Sequence, residues 1–117
     1  MKRLVATLIV LLALPHTAAE AASLLSESQA RNKAIQILTG DPYGNSVAEV
    51  SSHIVEMRLA QSGDIRACGL RKGPAWEAHV VVVTPNKDQF NHGVIDGYLA
   101  LDARNGKLRC ANLPLID

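Results

Sequence analysis

The chain has 117 residues and a formal net charge of +1, from 12 Lys and Arg against 11 Asp and Glu. That balance excludes a dedicated nucleic-acid binder, which needs a basic face to displace counterions from phosphates, and a polybasic membrane-surface protein. One Trp, two Tyr and one Phe argue against aromatic stacking platforms for bases or sugars, and 48% hydrophobic residues supply a core that a disordered chain lacks.

Lys2 and Arg3 give a positive start, and Leu4 to Leu14 follow as an uncharged apolar run ended by Pro15. Eleven residues are too few for a helix across a bilayer core, which takes about 20. Ala19-Glu20-Ala21 fits the small-x-small cleavage pattern. The expected organisation is a cleaved signal peptide over 1–21 and a single domain over 22–117, exported to the periplasm or the medium, without stable membrane insertion after cleavage. Removal of Lys2, Arg3 and Glu20 leaves acidic and basic residues equal in number.

Ser26-Glu27-Ser28-Gln29 has the spacing of a capping box, with Leu25 placed to staple onto Ala30. Ala30, Ala34, Ile37 and Leu38 recur at helical spacing while Arg31, Lys33 and Gln36 point away, so an amphipathic helix runs to Gly40. Asp41-Pro42-Tyr43-Gly44 reads as a turn with Pro in its second position, and Ser46-Val47-Ala48-Glu49 starts a short helix carrying Val47 and Val50. From about His53, Val55, Met57 and Leu59 alternate with Glu56 and Arg58 as in a half-buried strand. Val50, Ile54 and Met57 also fit one continuing helix, so residues 50–60 have two readings.

Trp76, Ala78, Val80 and Val82 line one face of the next strand, and Val81 and Val83 suggest that its far end is buried on both sides and central in the sheet. Ile95, Gly97, Leu99 and Leu101 alternate with Asp96, Tyr98 and Asp102 in a third strand. Asn105-Gly106 supplies the positive dihedrals of a hairpin into a fourth strand with Leu108 and Cys110. The expected fold is α+β: an N-terminal amphipathic helix packed on a three- to four-stranded antiparallel sheet.

Cys68 and Cys110 are the only cysteines. Export places them where disulfides persist, and no Cys-x-x-Cys or further Cys suggests redox exchange, haem or zinc. A structural disulfide between them is expected, with free thiols or an intermolecular bond as alternatives. Closing the segment from 68 to 110 is worth ~4 kcal/mol by chain-entropy arithmetic.

These elements resemble the PepSY family of small exported domains. Trp76-Glu77-Ala78-His79-Val80-Val81-Val82 is similar to its aromatic-x-Val-x-Val strand, and Leu101-Asp102-Ala103-Arg104-Asn105-Gly106-Lys107-Leu108 to its final hydrophobic-Asp-Ala-x-x-Gly-x-hydrophobic hairpin. The helix with Ala30 and Ala34 is similar to its leading helix. The two cysteines, the turn at 40–44 and the long loops at 62–74 and 84–93 depart from the pattern. The resemblance implies a binding module that regulates or inhibits a peptidase near the cell surface, and it implies no catalytic residues.

The residues alone point the same way. His53, His79 and His92 lie in different segments without helical or strand partners, so no metal site or cofactor is expected. No Gly-x-Ser-x-Gly occurs, and Asp96 and Asp102 stand ~20 Å apart along one strand, beyond the reach of a carboxylate pair. His79 shares a strand face with Glu77. Tyr43 on its turn, and the basic loop residues Arg66, Arg71 and Lys72, are the candidate partner contacts, although Tyr43 also suits closure of the core. The expected function is a non-catalytic, exported, protein-binding module whose interface is a strand edge or the loops at 62–74 and 84–93. A binder of a small molecule or envelope polymer, using the sheet's exposed face, is the alternative.

Overall fold

A computed structural model describes residues 23–116, so the expected signal at 1–21 lies outside the described residues. Helix α1 spans Glu27–Leu38 and α2 spans Val47–His53; strands β1 to β4 span Ile54–Ala60, Ala75–Val83, Val94–Asp102 and Leu108–Ala111. The strands form one antiparallel sheet in the order β1-β2-β3-β4. Among the described residues no helix is long and apolar enough to cross a membrane.

The start of α1 is set by a complete capping box: the Ser26 hydroxyl accepts from Gln29 N–H, and the Gln29 side chain accepts from Ser26 N–H. Its buried residues are Ala30, Ala34, Ile35 and Leu38. Ile35 therefore takes the core position expected of Ile37, which is half-buried. Two alanines in the contact stripe let the helix lie close against Ala78, Val80, Leu99 and Leu101 of the sheet in one apolar cluster. Leu25 is tied to the sheet by its own backbone: its N–H donates to Ala103 O, and its carbonyl accepts from Trp76 Nε1.

The Gly40–Gly44 turn differs from the expected one. Tyr43 N–H donates to Gly40 O, and the Asp41–Pro42 peptide is cis, so Pro42 sits in the third position. Beyond it α2 buries Val50 but leaves Val47 68% exposed. The chain then switches to a strand at Ile54, which settles residues 54–60 as β1 rather than helix. A bulge between Ile54 and Glu56 explains the faces: Ile54 is buried, Val55 is 56% exposed, and the alternation resumes with Met57 and Leu59 half-buried.

The hairpin between β3 and β4 is longer than a two-residue turn. Gly106 N–H donates to Asp102 O, Asp102 N–H donates to Lys107 O, and of Asn105 and Gly106 only Gly106 has a positive φ, 75°. A Cβ there would also meet Lys33 Cγ at 2.9 Å, so this position requires glycine for both reasons.

Cys68 and Cys110 are joined, with 6.3 Å between Cα atoms and 42 residues of separation. The bond ties the β1–β2 loop to edge strand β4. Replacing both cysteines with serine should lower the melting temperature by roughly 20 °C, from ~4 kcal/mol at about 4–8 °C per kcal/mol. An unchanged melting temperature, measured by circular dichroism with and without reductant, would contradict a structural role for the bond.

Candidate functional site

One face of the sheet packs on α1; the other carries Glu56, Arg58 and Ala60 from β1, Ala75, Glu77, His79, Val81 and Val83 from β2, and Asp96, Tyr98 and Ala100 from β3. This second face is divided in two. Near the start of β2 the loop 61–74 folds over it, so that Ala67, Ala75, Ala100 and Glu77 are all buried. The far end is open: Val81 is half-buried and Val83 is 68% exposed. The expected burial on both sides of β2 is thus present at the opposite end of the strand. Its cause is a loop that the strand pattern does not reveal.

Glu77 organises the covered half. It is 2% exposed, with Oε1 accepting from Arg58 Nη2 at 2.7 Å and Oε2 accepting from the backbone N–H of Arg66 at 2.5 Å and of Ala67 at 2.8 Å. Two consecutive loop amides converge on one buried carboxylate, which satisfies an ion that would otherwise be costly to bury. Arg58 also donates to the Asp64 side chain at 2.6 Å and to its carbonyl at 2.6 Å. Asp64 first, then Glu77, hold the guanidinium firmly in its charged form against the opposing effect of burial. Next to the two amides, Cys68 and Gly69 have φ of 52° and 71°, which turns the loop back on itself at the disulfide. On the sheet side Cys110 lies opposite Ala100, whose other neighbour across the sheet is Glu77.

The open half is a polar and aromatic strip. The His79 and Tyr98 rings face each other across β2 and β3, stacked with centroids 4.6 Å apart and an interplanar angle of 14°. His79 Nε2–H donates to Asp96 Oδ1 at 2.6 Å, one diagonal step along β3. Arg66 reaches from the loop to lie 6.0 Å over the Tyr98 ring, with Glu56 Oε1 at 3.5 Å. Beyond Asp96 the strip becomes apolar through Val81, Val83 and Val94. It ends in a shallow cleft of about 240 Å³ lined by Phe90, Asn91, Val94, Ile95, Asp96 and Pro114. The strip therefore runs between the two long loops, from Arg66 on one to Phe90 on the other.

The other sequence candidates fall as follows. Tyr43 is 1% exposed and donates its hydroxyl to Pro114 O at 2.5 Å, so it closes the core and is not a surface contact. Burial pushes its phenol up to about 12. Arg71 and Lys72 are exposed, but they stand apart from the Arg66 contacts: the Lys72 carbonyl accepts from Arg109. His53 Nδ1–H donates to Tyr43 O, His92 is exposed in the loop 84–93, and His79 bonds Asp96, not Glu77. Asp102 accepts from Arg104 N–H and Asn105 N–H, which commits it to the hairpin. Among the described residues no group of three or more His, Cys, Asp or Glu is placed to hold a metal ion. The strip is not legible in the sequence because its members come from β1, β2, β3 and a loop; the His79–Tyr98 register is the signal that points to it.

Comparison with protein-family models, curated proteins and solved structures finds no match for this chain.

Two expected outcomes test this arrangement. Glu77→Ala should cost ~3 kcal/mol in chemical denaturation, because it leaves the Arg66 and Ala67 amides without an acceptor and removes one of the two carboxylates that hold Arg58, whereas Asp64→Ala at the exposed partner should cost under about 1 kcal/mol. Equal effects would contradict the ranking. For Tyr43, the folded pKa lies above the ordinary value near 10, so the unfolded chain ionises first as pH rises. Stability should be full below pH 10 and fall between pH 10 and about 12, and Tyr43→Phe should reduce that fall in denaturation measured at stepped pH.

Proposed function

We propose that this chain is an exported, non-catalytic module that binds a protein partner, and that its role, as the resemblance to PepSY domains implies, is to regulate or inhibit a peptidase of the envelope or medium. The observation that carries this reading is the His79–Tyr98 stack, half-buried with Arg66 over the Tyr98 ring, on the less covered half of the sheet face. Tyr and Arg are the residue types that dominate protein interfaces, since each offers large contact area and a polar group in one side chain. The strip is bordered by exposed apolar residues, Val83 and Phe90, and by charges of both signs at Glu56, Arg66 and Asp96. The disulfide and the helix-then-sheet order add support for export and for the family resemblance respectively.

A small-molecule site fits less well. The cleft beside Asp96 is about 240 Å³ and open, below the roughly 300–1,000 Å³ typical of enclosed ligand sites. Among the described residues no Ser, Thr or Cys is placed in hydrogen-bond contact with His79, whose Nε2 is engaged by Asp96.

The purified protein, used as bait against envelope and secreted fractions, should recover a peptidase. A Tyr98→Ala and Arg66→Ala variant with a similar melting temperature should bind it about 30-fold or more weakly. Equal capture by both forms, or nothing above the control, would overturn the assignment of this strip. A native-only thermal shift with small molecules would favour the alternative ligand class.

A further inference from the structure

The two edges of the sheet are treated differently. At β4, only four residues long, the Arg109 guanidinium reaches the Lys72 carbonyl and the disulfide holds the loop alongside. At β1, the backbone of residues 55–60 makes, among the described residues, no hydrogen bond outside its pairing with β2. The segment Ile54-Val55-Glu56-Met57-Arg58-Leu59-Ala60 contains no Pro or Lys, and its bulge, confined to Ile54–Glu56, leaves Glu56 to Ala60 in regular register with β2.

The sequence of this edge is complementary to itself. If two copies of β1 run antiparallel with Met57 opposite Met57, Glu56 of each copy faces Arg58 of the other, and Val55 faces Leu59. The acid–base pairs fall on the second face and Met57 and Leu59 on the side of the core, as in the sheet itself. Sliding the strands by two residues brings Glu56 opposite Glu56 or Arg58 opposite Arg58, which like charges oppose. One register is thereby selected. Val55, 56% exposed, would gain an apolar neighbour.

We propose that the protein self-associates through β1, two copies joining about a two-fold axis at Met57 into one continuous eight-stranded sheet. The axis stands perpendicular to the sheet, so both His79–Tyr98 strips lie on the same side and the dimer is bivalent toward whatever they bind. The interface borders the strip at Glu56, which also faces Arg66, so the dimer is tested at Val55 and Met57 and the partner site at Tyr98 and Arg66.

Sedimentation equilibrium of the purified protein should give a concentration-dependent dimer. Val55→Lys, at an exposed position of the same edge outside the strip, puts a charge into the interface twice per dimer and should weaken it at least about tenfold without lowering the melting temperature of the monomer. Met57→Cys should cross-link copies under mild oxidation, because residue 57 meets itself on the axis, whereas Val55→Cys, which faces position 59, should not. A monomer at every concentration up to millimolar would overturn the proposal. So would a dimer indifferent to Val55→Lys, or equal cross-linking at 55 and 57, which would locate the contact elsewhere.

Discussion

The arrangement of this domain depends on one buried carboxylate. Glu77 sits mid-sheet on the face away from α1, and it is tolerated there because three donors meet it: the Arg58 guanidinium and the amides of Arg66 and Ala67. Those two amides belong to an irregular loop with no ladder of its own. The carboxylate gives the loop a fixed point against the sheet, and the Cys68–Cys110 bond gives it a second one. A small α+β domain with one helix can cover only one sheet face; here the β1–β2 loop covers half of the other.

That half-coverage shapes everything proposed about function. Because the loop ends its descent at Arg66, this side chain is delivered over Tyr98 at the boundary between covered and open sheet. Tyr98 in turn stacks on His79, which Asp96 holds by a charge-assisted hydrogen bond. The strip is therefore pre-organised by contacts within the chain, a condition that lowers the entropy cost of binding a partner. Arg58 links this face to the edge of the sheet: it neutralises Glu77 inside while standing on the strand whose outer backbone, among the described residues, is unpaired.

Much of the fold is legible in the sequence because it is written in local signals. The Ser26 capping box, the alternation through Trp76, Ala78, Val80 and Val82, and the Asp102 to Lys107 reversal each involve residues close in the chain. The pairing of two cysteines allows a single intramolecular answer, and it is the one found. Where the reading and the structure part, a non-local contact or a backbone irregularity decides. The bulge at 54–56 sends Val55 outward, Pro114 draws Tyr43 into the core, and the loop 61–74 buries the near end of β2 while the far end stays open. The open strip was illegible for the same reason: Glu56, Arg66, His79, Asp96 and Tyr98 become neighbours only through strand register and a loop path fixed by Glu77. Among the sequence-selected contacts, Arg66 lies in that strip, while Arg71 and Lys72 do not join it.

The measurement that tests this account most directly is native-state amide hydrogen exchange at Arg66 and Ala67, resolved by nuclear magnetic resonance. If Glu77 holds the loop as described, these two amides should exchange as slowly as those in the middle of β2 and β3, although they lie in an irregular segment. Exchange at the rate of exposed loop amides such as those near Lys87 would mean that the loop is not seated on the carboxylate, and the division of the sheet face into covered and open halves would fail with it.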